Sequence, residues 1–283
     1  MNSTMRVVIH LFYFVLISIV PKAIAQIPVV HLDASDAGSI VQSGGGVTQW
    51  TDLSGNGYHA VPTSDSIVTY DTSGDFVKGG LGVIDLRAMD FASGENANGK
   101  KGNTLQLFTS GQADQFFDFS SGGGAAANDG LAVFIVFRAD AIGEEDAIST
   151  CVMGDAKSPT DGGFSLQVEG SEDPNVVGGV AKMWLDDNEK PGVKSTETLP
   201  RVFEVYAFNY DATSTKDNFR FSTAFEHTKT EDYNKRDFTT NDPLLLGAGE
   251  YNDNRCLRGV IGEVIIYNTN LTDIAFEAKV QEL

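Results

Sequence analysis

Cysteine, histidine and tryptophan are scarce in this chain, and their scarcity narrows the chemistry that it can perform. The 283 residues include 2 cysteines, 4 histidines and 2 tryptophans. Two cysteines cannot form a zinc site on their own, and Cys151 and Cys256 lack the close spacing of ligands in such a site. Signatures of a Ser-His-Asp triad and of a phosphate-binding loop are also absent. The sequence therefore contains no familiar catalytic or nucleotide-binding centre.

Positive charge is also in short supply. The chain has 20 Lys and Arg against 39 Asp and Glu, which gives a formal net charge of −19 at pH 7. Such a balance repels nucleic acid and anionic membrane surfaces, so neither is expected as a partner, while divalent cations are compatible with it. An acidic surface also keeps a secreted protein soluble, and this second interpretation stays open beside the first.

Only one long apolar run occurs, and it lies near the start of the chain. Leu11 to Val20 is shorter than the roughly 20 residues that a membrane-spanning helix needs. It follows Arg6 and precedes Ala23-Ile24-Ala25, whose small residues suit a signal peptidase site. We therefore predict that residues 1–25 are a signal peptide, cleaved before Gln26, and not a membrane anchor.

Export has consequences for the remaining chain. Residues 26–283 are predicted to form one secreted domain, extracellular, at the cell surface, or periplasmic if the source is Gram-negative. Because Arg6 and Lys22 leave with the leader and no acid does, the mature charge is two units more negative than −19. In an oxidising compartment, Cys151 and Cys256 are expected to form a disulfide.

Helical periodicity is missing until the last dozen residues. Short apolar, β-branched or aromatic runs alternate instead with clusters of Gly, Asn, Asp and Ser, which is typical of strands joined by turns. We therefore predict an all-β fold, with a short C-terminal helix that starts near Thr272. The run from 202 to 210 is apolar on both faces, as is that from 131 to 137, so each is expected to be central and covered on both sides. The predicted strands are Val29 to Leu32, Leu131 to Phe137, Phe164 to Val168, Val180 to Leu185, Val202 to Tyr210, Phe219 to Phe225, Leu244 to Leu246 and Val260 to Tyr267.

Motifs near the two ends of the chain point to a family. His31-Leu-Asp-Ala-Ser-Asp36, then Trp50, then Asp52-Leu-Ser-Gly-Asn-Gly57 stand near the start, and Gly259-Val-Ile-Gly-Glu-Val-Ile-Ile-Tyr-Asn268 followed by Leu271-Thr-Asp273 stands near the end. These segments resemble laminin-G-like domains of the concanavalin A-like lectin and glucanase superfamily. The resemblance implies a jelly-roll sandwich of two antiparallel sheets, with Trp50 in its core. A fold alone does not supply a function.

The Asp52 to Gly57 turn has two interpretations. Oxygen-bearing residues followed by glycine suit a calcium-binding turn, which makes Asp52 and Asn56 candidate Ca²⁺ ligands. The alternative is a structural turn in which Asp52 and Asn56 bond nearby backbone. Asp33 and Asp36 would join a calcium site if their segment pairs with the turn.

Candidate ligand contacts lie further along the chain. Tyr251, Asn252 and Asp253 fall in a loop between two late strands, where an aromatic ring can stack on a sugar and the polar groups can bond hydroxyls. Trp184 is a candidate sugar platform if its indole is exposed, and a core residue if it is buried. A solvated loop rich in turn-forming residues is the alternative for 251–253.

No residue is assigned a catalytic role. Glu263 lies in a strand, and the resemblance makes it a shared strand residue paired with a cation or a backbone amide. A lone carboxylate does not hydrolyse a glycoside, and the acids at 144–146 lack the spacing of a catalytic pair. His59 and Tyr206 are available as bases for a lyase, but their spacing does not recommend them.

The sequence therefore favours a secreted carbohydrate-binding or adhesion protein, with a polysaccharide or glycoconjugate as partner and Ca²⁺ as a candidate cofactor. Two alternatives stay open. One is a polysaccharide lyase or glycoside hydrolase on the same jelly roll, and the other is a structural surface protein that binds another protein.

Overall fold

The computed structural model describes sixteen strands and a C-terminal helix within the residues given at the end of this paragraph. The predicted signal peptide, the 251–253 loop and the acids at 144–146 lie outside the described residues. No helix within those residues is long and apolar enough to cross a membrane. The described residues are 26–73, 81–88, 96–98, 102–109, 111–112, 130–140, 150–154, 164–170, 179–185, 202–211, 217–222, 229–233, 243–248 and 256–283.

Strands dominate the described part of the chain, and a single α-helix follows the last of them. The helix α1 is Asp273–Glu282, and a 3-10 turn at Ala37–Ser39 separates the first two strands. The strands are β1 Val30–Asp33, β2 Ile40–Ser43, β3 Gly46–Trp50, β4 Val61–Pro62, β5 Thr69–Asp71, β6 Val83–Asp85, β7 Leu105–Phe108, β8 Gly130–Ala139, β9 Thr150–Gly154, β10 Phe164–Gly170, β11 Gly179–Leu185, β12 Glu204–Asp211, β13 Asp217–Ser222, β14 Lys229–Tyr233, β15 Leu244–Leu246 and β16 Gly259–Tyr267.

The strands form two main antiparallel sheets. The larger sheet has eight strands in the order β14-β13-β12-β8-β16-β6-β5, with β1 also pairing with β16. The smaller has six strands in the order β11-β10-β9-β15-β7-β4, and β2 and β3 form a separate hairpin. The fold is a jelly-roll sandwich of two antiparallel sheets with a short C-terminal helix, which confirms the predicted fold class.

The main core lies between the two sheets. β8 and β12 are buried along almost their whole length, because each has neighbours on both edges and apolar side chains on both faces. The rings of Phe137 and Tyr206 meet edge to face within this core, with centroids 4.4 Å apart. Trp50 is fully buried in the same cluster, which confirms its predicted place in the core.

A second, smaller core lies on the outer face of the large sheet, beneath helix α1. Phe276 of the helix packs against Phe134 and Ile265 of the sheet. Thr272 starts the helix, as predicted, and its Oγ1 accepts a hydrogen bond from the backbone N–H of Ala275 at 3.3 Å. Helix α1 therefore covers the part of the outer face around Phe134 and Ile265.

A β-bulge in β16 decides which way its acidic residue points. The register between β8 and β16 shifts between Ile261 and Glu263, at Gly262. In a regular strand Ile261 and Glu263 would share one face, because side chains alternate. With the extra residue, Ile261 and Val264 both join the main core, while Glu263 lies on the outer face.

Candidate functional site

The pairing of β1 with β16 brings three ligand-type side chains together on the outer face. Asp33 lies directly opposite Glu263 in the register, and His31 lies two residues before Asp33 on the same face. Nε2 of His31 and Oε1 of Glu263 are 2.9 Å apart, and the side chains are 31% and 24% exposed. One donor atom from each of His31, Asp33 and Glu263 lies within 4.8 Å of the other two. We call these three residues the β1–β16 cluster.

In the β1–β16 cluster two carboxylates lie near one imidazole, which bonds Glu263 alone. The hydrogen bond to Glu263 is the main cause that raises the pKa of His31, partial burial opposes it, and the charges of Glu263 and Asp33 add to it. Oδ1 of Asp33 accepts a hydrogen bond from the backbone N–H of Ser35 at 2.7 Å. Within the described residues, no Lys or Arg forms an ion pair with Asp33 or Glu263.

The Asp52 turn lies on the other edge of β1. Oδ1 of Asp52 accepts hydrogen bonds from the backbone N–H groups of His31 and Ser54, both at 2.9 Å. Oδ2 accepts from the Ser54 hydroxyl at 2.7 Å and from the backbone N–H of Tyr58 at 3.1 Å. Four donors therefore occupy the two oxygens of this carboxylate, which is only 6% exposed. Asp52 fastens the turn to β1.

The same contacts explain the acidity of Asp52. Burial acts to raise the pKa of its carboxyl, but the hydrogen bonds from His31, Ser54 and Tyr58 favour the charged form, and together they hold the pKa below its usual value. His59 completes the turn, since its Nδ1 accepts the backbone N–H of Asp52 at 3.0 Å. His59 therefore has a structural role in the turn.

The contacts of Asn56 and Asp36 are also local. Nδ2 of Asn56 donates to the backbone oxygen of Val29 and to Oγ of Ser54, both at 3.1 Å. Oδ1 of Asp36 accepts from the backbone N–H of Gly38 and caps the 3-10 turn. These bonds favour the structural-turn interpretation of 52–57, whereas calcium binding at Asp52 and Asn56 stays a prediction. Of the two acids expected near the turn, Asp33 faces Glu263 instead.

A third set of charged groups on the large sheet is closed by mutual ion pairs. NH2 of Arg87 lies 2.6 Å from Oδ2 of Asp85, and NH1 lies 3.2 Å from Oδ2 of Asp140. Arg138 pairs with Oδ1 of the same Asp140 at 2.6 Å. Each carboxylate here faces at least one guanidinium, so this network has the features of a structural brace.

The predicted sugar platform Trp184 lies in β11, directly opposite Ser165 of β10. Its side chain lies outside the described part of the structure. Ser165 and Gln167 alternate with Leu166 and Val168 of the main core and therefore lie on the other face of the sheet, but both are buried there. Nε2 of Gln167 donates to Oγ of Ser165 at 2.6 Å, so polar side chains occupy this sheet face beside position 184.

The loop that carries Tyr251, Asn252 and Asp253 lies outside the described residues, but its base does not. The backbone N–H of Leu257 donates to the oxygen of Gly247 at 2.7 Å, and Ala248 and Cys256 are buried in one small cluster. The two ends of the loop are thus held together where β15 ends and β16 begins. The side chain of Cys151 is not described, so the disulfide with Cys256 stays a prediction.

Comparisons with known proteins find similar structures but no similar sequence. No protein-family model matches the chain, and neither does any curated protein. The binding domain of botulinum neurotoxin serotype G is similar in structure, with a TM-score of 0.52 and 14% identity over 90% of this chain and 51% of that one. The binding domain of Paraclostridial Mosquitocidal Protein 1 gives 0.52 and 11%, over 90% and 52%.

A third similar structure is the binding domain of botulinum neurotoxin DC in complex with SialylT. Its TM-score is 0.53 at 8% identity, over 90% of this chain and 51% of that chain. The chain therefore spans about half the length of these domains. At such low identity the likeness shows the fold alone, and membership of the laminin-G-like family stays a prediction.

Proposed function

We propose that this protein is a secreted binding protein that holds a glycan through the loops and the open face of its sandwich. The observation that carries the proposal is the jelly-roll likeness, over 90% of the chain, to the binding domain of a toxin in complex with SialylT. Jelly-roll sandwiches are common among lectin domains, which supports the same use here.

The proposed contacts are Tyr251, Asn252, Asp253 and Trp184. The first three belong to a loop whose two ends are fastened by the bond between Leu257 and Gly247, so the loop starts from a fixed base. Binding residues are often carried on loops that a rigid sheet positions. Trp184 would add an aromatic surface, next to the polar side chain of Ser165.

Calcium assistance and export are separate parts of the proposal. At Asp52 and Asn56, Ca²⁺ would have to replace donors that already occupy both oxygens of the Asp52 carboxylate. Export predicts that the mature chain starts at Gln26, which mass spectrometry of the protein recovered from outside the cell would show. A protein that retains residues 1–25 would contradict this part.

The test is a binding panel of polysaccharides and sialylated glycans. The purified chain is applied with a chelator, and again with Ca²⁺ added back, and retention is measured. We expect retention on at least one glycan class, weakened about tenfold or more by Tyr251→Ala or Trp184→Ala. Asp253→Asn tests the polar contact, and Asp36→Asn serves as its charge-matched control and should bind like the wild type.

Each outcome of the panel is informative. Retention that survives the chelator would remove calcium from the proposal but keep the glycan. No retention on any glycan in either condition would overturn it. Release of sugar products would favour the lyase or hydrolase alternative, and recovery of a protein partner without glycan retention would favour the structural surface protein.

A further inference from the structure

The β1–β16 cluster holds two like charges close together, and such a pair usually has a counter-ion. Asp33 and Glu263 are directly opposite in an antiparallel pair, where like charges are destabilising. No Lys or Arg of the described residues forms an ion pair with either acid, and the nearby Lys279 is bonded to Glu282 at 2.7 Å. The charge of Lys279 acts on His31 and lowers its pKa, but among the described residues only His31 forms a side-chain bond with one of these carboxylates, and it reaches Glu263 alone.

The donor set fits a metal ion better than it fits a closed hydrogen-bond network. Donors about 2.05 Å from one ion lie roughly 2.9 to 3.4 Å apart, from octahedral to tetrahedral geometry. Nε2 of His31 and Oε1 of Glu263 are already 2.9 Å apart, and a donor atom of Asp33 lies within 4.8 Å of both. His31 and Glu263 therefore already have the separation of two ligands of one ion, and binding would displace the proton between them and draw the carboxylate of Asp33 toward the ion.

The chemistry of these donors indicates the class of ion. One imidazole nitrogen with two carboxylate oxygens suits zinc and neighbouring divalent transition metals, whereas Ca²⁺ and Mg²⁺ take oxygen ligands. The acidic chain, with a net charge of −19, attracts any divalent cation, but the imidazole selects among them.

We propose that His31, Asp33 and Glu263 form a binding site for a divalent transition metal of the zinc class, which clamps the first strand of the sandwich to the last. His31 and Glu263 are 232 residues apart in sequence, so the ion joins segments near the two ends of the described chain. Solvent can supply the remaining ligands, because His31 and Glu263 are partly exposed. The proposal does not depend on glycan binding.

The experiment is a zinc titration of the purified chain without a polyhistidine tag. Calorimetry of the metal-free protein should show one Zn²⁺ per chain, with a micromolar or tighter dissociation constant. His31→Gln and Asp33→Asn should each weaken binding at least tenfold, while Asp36→Asn, which removes a nearby acid of β1's own loop, should stay within threefold. A hundredfold excess of Ca²⁺ should not displace the zinc.

Two further readouts keep the proposal falsifiable. Saturating Zn²⁺ should raise the midpoint of thermal unfolding by a few degrees in the wild type and not in His31→Gln. Co²⁺ should give visible absorption bands that His31→Gln abolishes. Circular dichroism without metal checks that His31→Gln and Asp33→Asn are folded, and these two variants suffice if Glu263→Gln does not fold.

The proposal is overturned if the wild type shows no saturable zinc binding, or if His31→Gln binds zinc as tightly as the wild type does. It is also overturned if Asp36→Asn loses as much affinity as Asp33→Asn. Zinc binding without retention on any glycan would leave this site standing while the proposed function falls, so the two failures are distinguishable.

Discussion

Two carboxylate sites share strand β1, and they differ in what surrounds their oxygens. At Asp52, four donors occupy both oxygens, and three of the four are backbone N–H groups. In the β1–β16 cluster, Asp33 accepts one backbone bond, and Glu263 faces the imidazole of His31. The first site is complete without a ligand, whereas the second holds two like charges that face each other and one imidazole that bonds Glu263 alone.

The difference shows that oxygen-rich spacing is a weak guide to a metal site. The Asp52 turn has the spacing of a calcium loop, but the same spacing also lets the carboxylate bond the turn's own backbone. Glu263 has no acidic neighbour in its strand and reaches its partners only through sheet pairing. The two sites differ in how many hydrogen-bond donors their carboxylate oxygens already have, and that number depends on the tertiary structure.

The largest expected effect comes from removing the closed carboxylate. Asp52→Ala leaves four donors without their acceptor in a nearly buried site, so we expect a loss of about 3 kcal/mol in the free energy of unfolding. Urea denaturation measures it. Asp36→Ala removes one exposed bond and should cost less than about 1 kcal/mol. Equal losses of stability in the two variants would show that Asp52 contributes no more than the capping residue Asp36.

Low pH should also remove the stability that the Asp52 carboxylate contributes. Because hydrogen bonds hold the pKa of Asp52 below its ordinary value despite its burial, the charged form stabilises the fold above about pH 3.9. This stabilisation is lost as the pH falls through the folded-state pKa. The difference in unfolding free energy between wild type and Asp52→Asn should therefore be constant near neutral pH and shrink in acid. Urea unfolding from pH 7 to pH 3 measures it, and a difference that grows in acid would contradict the assigned sign.

A smaller loss is expected from the hydroxyl that serves the turn. Ser54→Ala removes a hydroxyl whose one hydrogen lies between two acceptors, Oδ2 of Asp52 at 2.7 Å and the oxygen of Val29 at 2.9 Å, and whose oxygen accepts from Nδ2 of Asn56 at 3.1 Å. We expect a cost of about 1 to 2 kcal/mol by urea denaturation. Ser43→Ala, on the exposed part of β2, is the matched control and should change stability by less than about 0.5 kcal/mol. If Ser43→Ala loses more stability than Ser54→Ala, the bonds of Ser54 do not help to hold the turn against β1.

In the β1–β16 cluster, neutralising a carboxylate should change the free energy of unfolding in the opposite direction. In the presence of a chelator, Asp33→Asn relieves the repulsion with Glu263 and should be neutral or stabilising by about 0.5 kcal/mol. Asp52→Asn should be destabilising under the same conditions. Thermal and urea unfolding of the two variants compare them directly. A clear loss of stability in metal-free Asp33→Asn would show that this carboxylate is as structural as Asp52.

The sequence predicted much of the fold. All eight predicted runs contain strands of the structure, and Thr272 starts the terminal helix as expected. Long, continuously apolar strands such as β8 carry a strong signal because both of their faces are covered. The short strands β4, β5 and β6 were not predicted, since two or three residues with mixed polarity carry no period that a pattern can detect. The strands β2, β7, β9 and β14, of four or five residues each, were not predicted either.

The candidate site was less predictable. The alternation of His31 and Asp33 about the buried Leu32 was visible in the sequence and could have indicated one polar face of β1. Their meeting with Glu263 was not, because it needs a strand pairing across most of the chain and a bulge at Gly262 that turns Glu263 outward. A bulge depends on how two strands fit, and a single strand's pattern does not report it.

The position of β16 has a consequence for how the chain folds. This strand is a central member of the large sheet and also the last strand in sequence, and it pairs with β1, β6 and β8. The sheet therefore cannot close during synthesis until β16 has left the ribosome, and its pairing with β1 closes one of the longest loops in the chain. Folding should therefore be slow and late, because the pairing that completes the large sheet joins residues far apart in sequence.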